Sequence, residues 1–300
     1  MDIISQYYKR FEQNGIKAEE VFVPASVAVL GSCNTSLPVI SMTLSFGSRC
    51  VYRNRNDDRI ILKCTYSDET DILNTAMPLY LQNDGIIKDI IISARQITEK
   101  IKGAEILLSS DCSLKEFSPE KICLVKALCT QSGFSDAARS IIKATGSPAH
   151  MLVSLLSDTR IAAVNQLTLD YIPYKFNFTG YNIVCIKLSS KKKLTVSKAF
   201  VQREKHRINK FMETTGKNTV NDIGTLMYDS GMDYIDNIQN ETYTDIFRYI
   251  ENYTHYFRPL EDLSGIIAFV STPLCDEFIR VIECAYEKKT GKKPAFYISD

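Results

Sequence analysis

The apolar positions of this chain change their spacing several times, and each change predicts a different element. Residues 21–31, VFVPASVAVLG, alternate and are rich in β-branched side chains, which predicts a half-buried strand. Two further strands are predicted over 41–55 and 57–67, joined by a turn. Between 77 and 102 the apolar residues recur every three to five positions, which is typical of a helix.

The rest of the chain continues this mixture of strands and helices. A buried strand, AEILLSS, is predicted over 104–110, and Ser118-Pro119 has the chemistry of a helix start. The remaining predicted elements are a helix over 135–144, a strand over 181–189, helices over 197–214 and 220–256, and a strand, helix and strand over 264–272, 275–291 and 294–299. Strands mixed with segregated helices indicate the α+β class.

Composition and charge narrow the possible functions. The net charge of +1 over 300 residues argues against a general attraction to nucleic acid or to an acidic membrane surface. No stretch is long and apolar enough to span a bilayer, and the first residues lack the layout of a signal peptide. The nine cysteines form no CxxC pair, and with three histidines they predict no metal site. We therefore expect a cytoplasmic protein.

Four segments, in the same order, resemble galactokinase-type members of the GHMP kinase superfamily. Residues 24–38, PASVAVLGSCNTSLP, resemble the signature PGRVNLIGEHTDYN and its later Leu-Pro. The other three are LLSSD at 107–111, IGTLMYDSGMDY at 223–234 and YEKKTGKKPAFYIS at 286–299. The resemblance implies a two-lobed fold, a ribosomal protein S5-like lobe over 1–168 and a ferredoxin-like α/β lobe over 169–300. It also implies nucleotide and sugar bound between the lobes.

The nucleotide side of this resemblance lacks the expected chemistry. In the family the segment after LLSSD is a loop rich in glycine and serine, whose backbone amides and following helix cradle phosphates. The corresponding positions here are Ser113, Lys115, Glu116, Phe117 and Ser118. Large side chains stand where glycines are needed, and a carboxylate lies near the expected phosphates. Binding of ATP and Mg²⁺ is expected only if the chain is an active kinase.

The sugar side departs from the family in the same way. The family's arginine, acidic residue, histidine and aspartate correspond to Ser26, Ser32, Cys33 and Thr35. Small hydroxyls and a thiol lack the charge and reach with which the family's residues hold sugar hydroxyls.

Two further positions carry what remains of the family's catalytic motifs. The segment at 147–156 resembles the one that carries the catalytic carboxylate, which places His150 at the aspartate position. Gly265 corresponds to a remnant of a second glycine-rich motif.

Three functions remain open from the sequence. The first is a galactokinase-like pseudokinase that binds a sugar, another small ligand or a protein partner. The second is an active sugar kinase that uses unconventional residues, with His150 as the base and ATP and Mg²⁺ as cofactors. The third is a structural subunit. The basic helix at 198–210 is an additional candidate for docking an acidic partner.

Overall fold

A computed structural model gives the arrangement of most of the chain. It describes residues 2–11, 16–32, 35–82, 86–99, 101–112, 118–131, 133, 137–156, 159–188, 197–213, 218–236, 241–260 and 263–300. Within these ranges, no helix has the length and apolarity needed to cross a membrane.

The chain forms two compact units, and two long strands contribute residues to both. The first unit comprises Met1–Ala25 and Gly47–Leu156, and the second comprises Ser26–Phe46 and Ser157–Asp300. The shared strands are β1 (Glu19–Leu30) and β2 (Val39–Asn54), which pair with each other. The lobe boundary predicted between residues 168 and 169 stays a prediction.

The first unit is built on a mixed sheet. Besides its parts of β1 and β2, its elements are α1 (Ile3–Arg10), β3 (Arg59–Cys64), β4 (Thr70–Asn74), α2 (Ile86–Arg95), β5 (Ala104–Ser110), α3 (Glu120–Gln131) and α4 (Ala138–Thr145), with short 3-10 helices at Leu79–Leu81 and Ala149–Leu155. Strand β5 runs antiparallel to Ser48–Asn54 of β2 and parallel to β3, which in turn pairs with β4. Helix α1 is amphipathic, and it buries Ile3 and Tyr7 against this unit.

The second unit contains most of the residues that lie in helices. Its elements are the remaining parts of β1 and β2, then β6 (Ile161–Val164), β7 (Tyr171–Tyr174), β8 (Phe176–Asn177), β9 (Tyr181–Lys187), α5 (Lys198–Glu213), β10 (Asn218–Thr219), α6 (Val220–Asp236), α7 (Glu241–Glu251), β11 (Phe257–Pro259), β12 (Gly265–Ser271), α8 (Cys275–Thr290) and β13 (Ala295–Ser299), with a 3-10 helix at Thr272–Leu274. Strands β11, β12, β9 and β13 form an antiparallel sheet in that order. Val39–Met42 of β2 pair with β6, and β6 pairs with β7.

Two predicted helices differ from those in the structure. The helix predicted over 220–256 is wrong as a single element, because α6 ends at Asp236 and α7 begins at Glu241. These two helices pack on different partners, α6 on β11 and α7 on α8, so one continuous helix could not serve both. The helix predicted over 77–102 is shorter, since the Gln82 side chain bonds both backbone groups of Asn74 and holds that stretch in an irregular path.

Two glycines of α6 explain how closely this helix packs on the chain near β11. A Cβ atom at Gly231 would lie 2.9 Å from the Phe257 carbonyl oxygen, and one at Gly224 would lie 2.4 Å from the Tyr256 ring. The two glycines are seven residues apart and therefore lie on the same face of α6. This face, which carries no side chain at either position, packs against residues 256–258. Arg258 is thereby placed directly beside α6. The α+β class predicted from the sequence is confirmed.

Candidate functional site

The turn that follows β1 is the first part of the candidate site, and it lies in the second unit. Gly31 has a φ of +86°, a left-handed conformation that side chains disfavour. A Cβ atom at this position would also lie 2.7 Å from the Pro38 carbonyl oxygen. Both observations require glycine here, where the galactokinase signature has its own glycine. We refer to residues Gly31–Pro38 as the signature turn; Cys33 and Asn34 lie outside the described residues.

Side chains inside the second unit bind the backbone of the signature turn. The N–H and the hydroxyl of Thr35 both donate to the Ser32 carbonyl, at 3.2 and 2.9 Å. The amide of Gln166 donates to the same carbonyl at 2.9 Å and also to the carbonyl of Leu37. Ser32 is buried and Thr35 is partly buried. These two predicted sugar-site residues are therefore brought together, and the Thr35 hydroxyl is used within the turn.

A buried carboxylate on α5 holds the first peptide of this turn. The Glu204 side chain is 0% exposed, and its Oε1 accepts from the Gly31 N–H at 2.7 Å and from the Ser230 hydroxyl at 2.9 Å. Its Oε2 accepts from Arg207 at 2.9 Å. An ionised group with no solvent contact is retained only where partners compensate its desolvation, and here the compensation is nearly complete.

Arginines extend this network in two directions. Arg258, which is 1% exposed, donates to the Gly31 carbonyl at 3.1 Å and lies 3.8 Å from Glu204. Its guanidinium also stacks over the Tyr234 ring, 5.1 Å from the centroid. Glu204 and Arg258 thus bind the N–H and the C=O of one residue with opposite charges. We call Glu204, Arg207, Arg258 and Asp233 the Glu204 cluster.

Asp233 closes the cluster on its solvent side. It accepts from Arg207 and, at 2.8 Å, from Arg203. Burial raises the pKa of Asp233, but hydrogen bonds and charge from these two arginines outweigh it and hold the pKa below its ordinary value. Arg203 and Arg207 belong to the basic helix that the sequence suggested as a docking surface for an acidic partner. Both are bound to carboxylates of their own unit, and docking of a partner stays a prediction.

Ser26 marks the position of the family's arginine. Its side chain is 1% exposed, and its hydroxyl has no hydrogen-bond partner among the described residues. An unsatisfied buried hydroxyl is uncommon, because it has lost its water without replacement. The side chain lies in the interior, where a small residue fits.

The sequence resemblance predicts the family's phosphate-binding region at the start of α3, in the first unit. Residues 113–117, which include the predicted positions Ser113, Lys115, Glu116 and Phe117, lie outside the described residues. Their two flanks are linked, since the Ser110 hydroxyl donates to the Cys112 carbonyl at 3.1 Å and lies 3.5 Å from the Ser118 hydroxyl. The Pro119 carbonyl accepts the first i to i+4 bond of the helix, from Cys123.

A carboxylate already occupies this helix start. Glu120 is the acidic residue of the first turn of α3, where the helix dipole favours negative charge. Partial burial, a hydrogen bond with Cys64 and the neighbouring Glu120 carboxylate raise the pKa of the Tyr66 phenol. Pro119 has no N–H to offer to an anion.

The other two predicted positions have mainly structural surroundings. His150 is buried in the 3-10 helix Ala149–Leu155, where most neighbouring side chains are buried as well. Its role as a base stays a prediction. Gly265 begins β12 opposite Lys187 of β9, and a Cβ atom there would lie 2.3 Å from the Ile186 carbonyl oxygen. Close strand approach thus accounts for glycine at this position.

The residues that bind the signature turn were not predicted from the sequence. Glu204 and Arg207 have the i, i+3 spacing of an ion pair on one helix, which was a usable signal. Arg258 and Gln166 gave none, because only the fold brings them to a turn more than 120 residues earlier. No group of three or more potential metal ligands occurs within the described ranges.

Comparison with known proteins agrees with this architecture. No protein-family model matches the chain, and no curated protein sequence matches it. Among solved structures, Lactococcus lactis galactokinase complexed with galactose matches with a TM-score of 0.75 at 14% identity, over 99% of this chain and 97% of the other. Methanococcus jannaschii mevalonate kinase matches with a TM-score of 0.72 at 13% identity, over 95% and 98% of the two chains.

A third structure extends the comparison to a different substrate. Homoserine kinase from Cytophaga hutchinsonii matches with a TM-score of 0.69 at 13% identity, over 97% of this chain and 96% of the other. All three are kinases of the GHMP superfamily. The two-lobed GHMP-kinase fold that the four sequence segments predicted is therefore confirmed. At this level of identity the similarity shows the fold.

Proposed function

We propose that this chain is a galactokinase-like pseudoenzyme, which has lost ATP-dependent sugar phosphorylation and acts by binding a ligand or regulating a partner in the cytoplasm. The observation that carries the proposal is the start of α3. There Pro119 removes a backbone donor and Glu120 places a carboxylate in the first turn. A phosphate-binding helix start needs free amide donors and no competing anion.

The electrostatic cost supports this proposal. A phosphate oxygen ~4 Å from the Glu120 carboxylate would meet a repulsion of about 4 kcal/mol at the dielectric typical of a protein surface. A carboxylate in the first turn interacts favourably with the positive end of a helix, so with Glu120 at this position a nucleotide would gain less there. The flanking residues that the structure describes do not fit the phosphates of ATP and its Mg²⁺.

The signature turn supports the same conclusion for the sugar side. Ser26 and Ser32 are buried, and the Thr35 hydroxyl bonds within the turn. Nearby charges of the second unit, in the Glu204 cluster, bind one another and the Gly31 peptide. A sugar would therefore have to be held by neutral groups, whose hydrogen bonds are about half as strong as charge-assisted ones. Galactose, the ligand named for the Lactococcus lactis enzyme, is still the first compound to try.

The test combines binding with turnover. Melting temperature is measured with ATP and Mg²⁺, with galactose and other sugars, and with both together, alongside a phosphoryl-transfer assay using labelled ATP. A working galactokinase is the positive control. A ligand at a hundredfold excess over its Kd stabilises the native state by about 2.7 kcal/mol, which moves the melting temperature by several degrees. We expect no shift with ATP and Mg²⁺ and no phosphoryl transfer.

A sugar that raises the melting temperature without nucleotide would support a sensor. Phosphoryl transfer to any sugar would overturn the proposal, most directly if it were abolished by His150→Ala but not by Lys292→Ala, a change of an exposed residue near the C-terminus. A nucleotide-dependent shift without transfer would overturn the part of the proposal that concerns ATP.

A further inference from the structure

A cleft between α7 and α8 has the features of a small-ligand site, and it contains none of the positions discussed above. Its volume is about 470 Å³, within the range of roughly 300 to 1,000 Å³ typical of ligand pockets. The two helices run antiparallel, with Asp245 paired to Lys289 at one end and Tyr253 bonded to Glu277 at 3.2 Å toward the other. Bonds near both ends hold the helices at a fixed separation.

The floor of the cleft is apolar and one wall carries an exposed ring. Ile246 belongs to the core of the second unit, and Ala285 of α8 packs against that core. Tyr249 precedes the buried residue Ile250 on α7, and Tyr249 itself is 45% exposed. A large aromatic side chain beside an apolar floor offers a flat surface on which a planar group can stack.

The charge of the lining is positive although the whole chain is nearly neutral. Three cations, Arg248, Lys288 and Lys289, face one carboxylate, Asp245, which gives a net charge of +2. The carboxylate is bound to Lys289 and lies 3.8 Å from Arg248, whose side chain is 74% exposed. Within the described part of the chain, Lys288 has no ion pair.

From these features we propose that the α7–α8 cleft binds a small organic anion with a planar ring, its carboxylate or phosphate against Arg248 and Lys288 and its ring against Tyr249. The guanidinium of Arg248 offers two parallel donors, which match two oxygens of a carboxylate or of a phosphate. The side-chain amide of Asn252, which directly follows α7 and also lines the cleft, supplies both a donor and an acceptor for a ring substituent. The site is separate from the proposed loss of kinase activity and does not depend on it.

Isothermal titration calorimetry at low ionic strength tests the proposal with two probe pairs. The anions are AMP and 4-hydroxybenzoate, and their neutral counterparts are adenosine and 4-hydroxybenzamide. We expect at least one anion to bind, with its neutral counterpart at least tenfold weaker and with affinity falling as salt is raised. Binding of AMP alone would show that the anionic group of the ligand is a phosphate. Binding of 4-hydroxybenzoate alone would show that it is a carboxylate.

Variants place the binding in the cleft. Lys288→Ala and Tyr249→Ala should each weaken binding at least fivefold, and Tyr249→Phe should retain it because the ring remains. Lys292→Ala removes an exposed lysine outside the lining and should have no effect. The proposal is overturned if neither anion binds, if the neutral counterparts bind equally well, or if Lys288→Ala and Tyr249→Ala bind as the wild type does. If AMP bound at the start of α3 instead, the Lys288→Ala and Tyr249→Ala variants would bind it as the wild type does. Failure of the cleft proposal is therefore distinguishable from failure of the pseudoenzyme proposal.

Discussion

Replacement of Glu204 by alanine is the most demanding test of how the second unit holds the signature turn. The change removes the acceptor for the Gly31 N–H, the Ser230 hydroxyl and Arg207, and a carboxylate that lies 3.8 Å from Arg258. Removing one partner of a buried ion pair typically costs about 3–5 kcal/mol, because the remaining charge stays buried without compensation. Arg207 keeps Asp233, so the expected loss lies near the middle of this range, about 4 kcal/mol.

Calorimetry is the appropriate assay, since a chain of two units need not unfold in one step. A loss of about 4 kcal/mol should lower the melting temperature of the affected transition by roughly 8 °C or more. Glu204→Gln keeps an oxygen for the two neutral donors but removes the charge, and its melting temperature should fall between those of the alanine variant and the wild type. Glu213→Ala, an exposed change on the same helix, should cost less than about 0.5 kcal/mol.

The result that refutes this reasoning is a Glu204→Ala protein whose stability is within about 1 kcal/mol of the wild type. Such a result would mean that water or a shift of α5 replaces the carboxylate at low cost. Equal melting temperatures for Glu204→Ala and Glu204→Gln would show instead that the charge, rather than the acceptor atom, provides the whole effect.

Two further predictions concern pH and backbone strain. Because the pKa of Asp233 is lower in the folded chain than its ordinary value of about 3.9, its ionised form stabilises the fold above that pH and the contribution is lost as pH falls through the lowered pKa. Asp233→Asn should therefore be less stable than the wild type at pH 7 and differ little from it near pH 2, as urea unfolding at the two pH values would show; a constant difference contradicts this. Gly31→Ala and Gly146→Ala both place a side chain at positive φ, but only the first also meets a carbonyl oxygen at 2.7 Å. Gly31→Ala should therefore lower the melting temperature more, and an equal loss would show that the contact at the signature turn relaxes freely.

The fold was predictable where the apolar spacing was regular and local. The strand at β5 and the helix α8 follow directly from their periodicity, and the structure places them as expected. The division of 220–256 into two helices did not follow, because α6 and α7 both carry an apolar face and only their different packing partners separate them. Spacing along the chain also could not show that β2 pairs with β5 through one half and with β6 through the other.

The candidate site was predictable only as a set of positions. The resemblance identified Ser32 and Thr35, and the structure brings these two together in one turn. It could not identify Glu204 or Arg258, because both act on the backbone of Gly31 from positions far away along the chain. Interactions between a side chain and a distant peptide group depend on the fold, so sequence reasoning finds them last.

The way the signature turn is held explains how its fold can persist without the family's side chains. The bonds from Glu204, Arg258 and Gln166 to the turn end on backbone atoms, which are the N–H and C=O of Gly31 and the carbonyls of Ser32 and Leu37. Backbone groups are the same whichever side chain a position carries, so a change at position 26, 32 or 35 leaves these bonds in place. The glycine itself is different, because its positive φ and the nearby Pro38 carbonyl exclude a side chain. The geometry of the turn therefore constrains Gly31 and the Glu204 cluster, and it does not depend on the side chains at positions 26 and 32, which the resemblance predicts at a sugar site.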